Sequence, residues 1–268
     1  MSVVGRFAPS PTGPLHLGSL VAAVGSWLHA RAAGGQWLVR MEDIDVARVV
    51  PGSAEEILAA LQRYALEWDG EVVYQSQRTQ LYEEALNALR EKGLMFDCAC
   101  SRADLQRAAS APLPGEEIAY PGTCRDGLPP GKTARSIRFR DADAFVLKRA
   151  DGVFAYQLAV VVDDAAQGVT QVVRGADLLT STPRQIALQR ALGYPTPEYV
   201  HLPLVLNPDG TKLGKRDGAL PLPALDEKRV AETLDAALRH VGIIVAKDTP
   251  GRMLEQALSG VRRPQSPL

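Results

Sequence analysis

Three short stretches carry residue types whose spacing could do chemistry. Residues 9–20, PSPTGPLHLGSL, set three prolines and two glycines ahead of an apolar helical run. A helix N-terminus presents unpaired N–H groups and a partial positive charge, so such an approach can hold a phosphate. Pro9, Pro11 and Pro14 stiffen the turn, Gly13 and Gly18 let a ligand near the backbone, and His16 can donate toward developing negative charge. Taken alone, the stretch equally fits a proline-rich turn entering a buried helix. Residues 207–218, NPDGTKLGKRDG, put Lys212, Lys215 and Arg216 in a glycine-rich loop, which alone reads as a solvated basic turn. The third is Cys98-Ala-Cys100 followed by Tyr120-Pro-Gly-Thr-Cys124. Three thiols and a phenol fill the four positions of a tetrahedral Zn²⁺, or the cysteines are small buried hydrophobic residues.

These residues need elements to position them. Leu17, Leu20, Val21, Val24 and Leu28 follow helical spacing, with Gly34-Gly35 as the stop. Strand-like runs at 3–8 and 37–41 flank that helix, a strand, helix, strand order that implies a parallel α/β unit. Ser53 and Glu56 form a capping box for a helix to about residue 67, and residues 78–92 make another. From 94 to 149 the character changes to cysteines, a Pro/Gly-rich stretch at 111–132 and two strand-like runs at 136–140 and 144–149, which reads as an insertion. Alternation resumes with a strand at 169–173, a helix opened by Thr182-Pro183 and ending at Leu192, and a strand at 202–206. Two short helices, near 226–241 and 251–261, complete the pattern. Trp27 reads as packing, and His29, His201 and His240 as surface or helix-end residues without metal spacing. Asp163 and Asp164 read as a solvated acidic cap on a buried element.

The chain has 268 residues, 46% hydrophobic, enough for one large domain or two modest ones. Lys and Arg total 30 against 31 Asp and Glu, so no global basic field holds nucleic acid and any such footprint must be local. No signal-like start and no run near the roughly 18 apolar residues of a membrane helix are present, so a cytoplasmic protein without membrane attachment is expected. Three cysteines cannot all pair within one chain, which favours a metal or inert thiols in a reducing compartment.

Four ordered blocks, GRFAPSPTGPLHLGSL, LVRMEDIDVAR, YQLAVVVDDAAQGVTQVVRGADLLTSTPRQIALQRALG and KLGKRDGAL, resemble the glutamyl-tRNA synthetase catalytic core of the class I aminoacyl-tRNA synthetases over most of residues 5–220. Ser19 stands where the first signature usually has its second histidine, and Gly214 where the second has a serine between the lysines. The resemblance implies an α/β fold, a Rossmann-type parallel sheet split by a zinc-containing insertion, with a short helical tail and no anticodon-binding domain. The divisions expected are 1–93 for the first half of the catalytic domain, 94–150 for the insertion, 151–218 for the second half with its lysine loop, and 219–268 for the tail. By the same resemblance, Arg6, Phe7, Ala8, Pro9, Ser10, Glu42, Tyr156 and Arg174 line a glutamate site. ATP falls to His16, Gly18, Lys212 and Lys215, with His16, Lys212 and Lys215 catalytic, and a structural Zn²⁺ to Cys98, Cys100, Tyr120 and Cys124. Mg²⁺ is expected with the ATP.

Glutamate brings two carboxylates and one ammonium, which suits Arg6 and Arg174 to the carboxylates and Glu42 to the ammonium. Only 52 residues follow Arg216, and Ala176 stands where full-length enzymes usually have Glu. Both features resemble a truncated paralogue that activates L-glutamate without tRNA and transfers it to queuosine at the anticodon wobble position of tRNA(Asp). That enzyme is expected to act as a monomer. The competing expectations are a shortened synthetase that charges the tRNA 3′ end, and a non-catalytic module that binds tRNA or a partner.

Overall fold

The computed structural model describes residues 2–108, 119–207, 222 and 227–261. Along the chain lie β1 (Val4–Phe7), α1 (Leu17–Ala32), β2 (Gln36–Met41), α2 (Ser53–Arg63), β3 (Val73–Tyr74), α3 (Thr79–Glu91), β4 (Met95–Cys98), α4 (Arg102–Ala108), β5 (Ser136–Phe139), β6 (Val146–Lys148), α5 (Tyr156–Ala166), β7 (Gln171–Gly175), α6 (Ser181–Leu192), β8 (Glu198–Leu202), α7 (Glu227–His240) and α8 (Pro250–Gly260). The described residues sort into two compact units, one from Met1–Ser76, Gly168–Leu179 and Pro197–Leu268, the other from Gln77–Gln167 and Thr180–Thr196. Among them no helix is long and apolar enough to cross a membrane.

The first unit is built on parallel pairs, β1 with β2, β2 with β3 and β7 with β8. The Val4 N–H donates to Thr170 Oγ1 and the Thr170 N–H to the Val4 carbonyl, both at 2.9 Å, so β7 lies beside β1 and the strand order is β3-β2-β1-β7-β8. The chain leaves β1 in one direction through β2 and resumes on the other side with β7. That reversal creates a topological switch point, where open parallel sheets bind ligands beyond the carboxyl ends of the strands. Phe7, Trp37, Val39, Met41, Val173 and Leu202 share a core with Leu20, Val24 and Leu28 of α1 and with Leu234, Leu238 and Met253 of α7 and α8. Each such side chain, fully buried, contributes about 1.5–3 kcal/mol. The helix lies so close that a Cβ on Gly25 would sit 2.5 Å from Leu202 Cδ1. The last strand forms at Glu198–Leu202, earlier than the apolar run at 202–206 suggests, because Tyr199 to Leu202 register with Val172 to Gly175.

The second unit packs α3, α5 and α6 together and carries an antiparallel sheet in the order β4-β5-β6. The two strand-like runs read in the insertion are β5 and β6; β4, which ends at Cys98, has no counterpart in the sequence reading. Asp163 and Asp164 correct another expectation. The helix continues to Ala166, so both lie inside it and are buried, Asp163 with no exposure. The Arg78 Nε donates to Asp163 at 2.6 Å and the Tyr82 hydroxyl at 2.8 Å.

Candidate active site and metal centre

Strand pleating selects the residues that meet at the switch point. On β2, Trp37, Val39 and Met41 enter the core beneath α1, so Leu38, Arg40 and then Glu42 turn to the opposite face. Arg6 is the register partner of Leu38, and Arg174 follows core residue Val173, so both guanidinium groups join that face. Arg6, Arg40 and Arg174 are buried, and Arg40 has no exposed surface. An Arg40 nitrogen lies 3.7 Å from a Glu42 carboxylate oxygen, and the Glu42 N–H donates to the Pro9 carbonyl at 2.9 Å. The first unit therefore concentrates cationic groups and one carboxylate at the carboxyl ends of β1, β2 and β7. Such a face suits a small ligand with more acid than base.

On β8, Tyr199 and His201 pair with Val172 and Arg174 and share the same face. The Arg174 guanidinium lies 5.1 Å from the centre of the Tyr199 ring, and the Tyr199 and His201 rings stack with their centres 6.4 Å apart. Burial, and then the adjacent Arg174 cation, pull the His201 imidazole below its ordinary range, against an opposing pull from Asp177.

The approach to α1 is fixed from below. Gly13 adopts φ 120°, open to glycine, and both its backbone groups bond the Ser53 hydroxyl at 2.9 Å. Ser53 is thus the first residue of α2 rather than its cap, and Gly52 occupies the cap position. His16 caps α1: its Nδ1 accepts from the Ser19 N–H at 3.4 Å. That arrangement leaves the ring proton on Nε2, the nitrogen able to donate. Gly18 lies in the first turn of the same helix.

The expected site residues divide as follows. Arg6, Ala8, Pro9, Ser10, Glu42 and Arg174, with His16 and Gly18, belong to the first unit. The Phe7 side chain stacks on Trp37 in the core, with ring centres 6.2 Å apart, so only its backbone faces the strand end. Tyr156 opens α5 in the second unit. Lys212 and Lys215 lie outside the described residues. Arg40 and Tyr199 were missed by the sequence reading. For Arg40 a signal existed, since a charge two residues before Glu42 in an otherwise apolar strand shares its face; for Tyr199 none did, because the strand was placed too late.

In the second unit the thiols of Cys98, Cys100 and Cys124 gather within 4.8 Å of one another, with Cys100 and Cys124 Sγ 3.8 Å apart. Metal–sulfur bonds of about 2.3 Å in a tetrahedron give sulfur separations of about 3.8 Å, so the donor set fits a zinc-type ion. The Tyr120 oxygen lies 3.5 Å from Cys98 Sγ and accepts from the Cys124 N–H at 2.8 Å. Burial opposes ionisation of Cys98, but hydrogen bonding with Tyr120, the Cys100 backbone and Arg138 outweighs it and holds the thiol below its usual range. Burial and the neighbouring sulfurs push Cys100 up to about 11 and Tyr120 well above the usual phenol range. Sulfurs that crowd one another in this way are what a bound cation relieves.

Comparison with known proteins follows the same lines. The family described as tRNA synthetases class I (E and Q), catalytic domain, matches residues 2–125 and 132–247. The chain is 56% identical over 265 residues to a glutamyl-Q tRNA(Asp) synthetase of Geobacter sulfurreducens, covering 90% of this chain and 84% of that one. It is 54% identical over 260 residues to the protein of the same name from Dechloromonas aromatica, covering 89% and 85%. Among solved structures it resembles a glutamate-tRNA synthetase from Elizabethkingia anophelis, with TM-score 0.78, 25% identity and coverage of 98% of this chain and 67% of that one.

Proposed function

The chain belongs to the glutamyl-Q tRNA(Asp) synthetases, within the class I tRNA synthetases of the E and Q type, and is a ligase; from that premise we propose that it activates L-glutamate with ATP in the absence of tRNA and transfers it to queuosine in the anticodon of tRNA(Asp). The observation that carries this reading is the shared sheet face of Arg6, Glu42 and Arg174 at the switch point. Two guanidinium groups there suit the two substrate carboxylates, and Glu42 suits the ammonium. Tyr156 is assigned to the same substrate by family resemblance.

In the first step an oxygen of the glutamate α-carboxylate attacks the α-phosphorus of ATP, and pyrophosphate leaves in line. In the second, a hydroxyl of the queuosine cyclopentenediol attacks the acyl carbon of glutamyl-adenylate, and AMP leaves. No side chain becomes a nucleophile. Positioning and charge stabilisation do the work, through His16 Nε2–H, the N–H groups that open α1, and Lys212 and Lys215 on the polyphosphate. Mg²⁺ bound with ATP would screen the polyphosphate charge. Cys98, Cys100, Cys124 and the Tyr120 oxygen would hold Zn²⁺, which supplies structural cross-linking of the small sheet rather than chemistry.

The test is to incubate the protein with ATP, labelled glutamate and tRNA(Asp) with and without queuosine, then digest the tRNA. Label confined to the anticodon fragment of the modified tRNA supports the proposal. Label on the terminal adenosine assigns the chain to 3′-end charging instead.

A further inference from the structure

Arg138 is 7% exposed, a charged side chain inside the small antiparallel sheet. Its register partner is Phe96, and pleating puts it on the face that carries Cys98. Its guanidinium carbon lies 4.2 Å from the centre of the Tyr120 ring, and one terminal nitrogen donates to the Ala144 carbonyl at 2.7 Å. Its Nε has no hydrogen-bond partner among the described residues. No carboxylate pairs with it there either, whereas its neighbour Arg140 reaches Asp126 at 4.0 Å. A buried cation without a counter-charge costs several kcal/mol. The Tyr120 ring that Arg138 covers carries its oxygen 3.5 Å from Cys98 Sγ, so the guanidinium faces the thiol cluster.

We infer that Arg138 is the outer-sphere counter-cation of the metal centre, a positioning residue that holds Tyr120 by its ring face and neutralises the thiolate-bound ion. This rests on the metal reading given above. A divalent ion on three thiolates and a neutral phenol carries one net negative charge, and one guanidinium cancels it. The stack on Arg138 and the tilted contact with Phe96, 5.8 Å between ring centres, fix the ring while the Cys124 N–H fixes the oxygen. The group bridges the phenol ring and the Cys98 side of the centre, which a flat guanidinium does well and an aliphatic side chain cannot do.

The inference is tested by the zinc affinity of the full chain, read by competition with a chromophoric chelator, and by the absorption of the Co²⁺-substituted protein. Arg138→Gln is expected to weaken zinc binding about 10–100-fold, the usual effect of losing an outer-sphere partner, and Arg138→Lys to recover most of it. Cys100→His replaces a thiolate with a neutral ligand and leaves the centre uncharged, so adding Arg138→Gln to it should cost little further. Wild-type affinity in Arg138→Gln, or equal weakness in Gln and Lys variants with no relief from Cys100→His, would overturn the inference. Should Arg138→Gln fail to fold, recovery in excess zinc or on adding Cys100→His supports it, and failure in both overturns it. A wild-type chain that binds no zinc removes the metal reading itself; one that binds zinc and ignores Arg138 removes only this role.

Discussion

The Ser53 hydroxyl accepts a hydrogen bond from the Gly13 N–H and donates one to the Gly13 carbonyl, both at 2.9 Å, across forty residues of chain. One buried hydroxyl thereby sets the proline-rich turn that delivers His16 to the start of α1. Ser53→Ala removes both hydrogen bonds to the Gly13 backbone and should cost about 1–3 kcal/mol in chemical denaturation, the sum for two such bonds. It should also raise the KM for ATP, because the turn loses its anchor. A loss below about 0.3 kcal/mol, under the usual value of one hydrogen bond, with an unchanged KM would show that the turn holds itself.

Asp163 has no exposed surface and takes hydrogen bonds from both Arg78 and Tyr82. Asp163→Asn should destabilise the protein by about 3 kcal/mol, the low end for breaking a buried pair, since the Arg78 side chain keeps some contact with water. Denaturant midpoints of the two proteins measure it. Equal midpoints would mean that water compensates for the lost pair.

Helix α1 and the parallel strands were legible because their signals are local: Leu17 to Leu28 keep a helical period, and proline and glycine punctuate the ends. Arg6, Glu42 and Arg174 were singled out through family resemblance, and pleating explains why they share one face of the sheet. What escaped depended on partners distant in sequence. Ser53 had the composition of a cap, yet its hydroxyl is committed to Gly13. Asp163 looked solvated because Arg78, eighty-five residues earlier, cannot be seen as its partner from the sequence. Strand β4 is short and ends in cysteine, so only its register with Ser136 to Phe139 defines it.

Burial lowers the pKa of His29 in the folded chain from its ordinary 6.5, with Glu198 partly opposing. Below that value the unfolded chain binds more protons than the folded one, so stability should fall as pH drops from about 7 toward 5 and stay level above. His29→Gln should reduce the loss in Tm between pH 7.5 and 5.5. Identical pH profiles would remove His29 from the acid response.

Tyr199 presents its ring to Arg174. A cation–π contact is worth about 0.5–2 kcal/mol, so Tyr199→Leu should raise the KM for glutamate roughly 2- to 30-fold with little change in kcat, and Tyr199→Phe should restore it. A KM unchanged in Tyr199→Leu would show that Arg174 is held without the Tyr199 ring, by contacts such as its hydrogen bond to the Leu178 carbonyl at 3.4 Å.

The most direct measurement is ATP–pyrophosphate exchange without tRNA, in the wild type and in Arg174→Ala and Lys215→Ala. Exchange that requires glutamate, and that falls by about 10²-fold or more in each variant, is the predicted result, the usual loss for a charge contact to the reacting groups. No glutamate-dependent exchange in the wild type, or wild-type exchange in both variants, would contradict it.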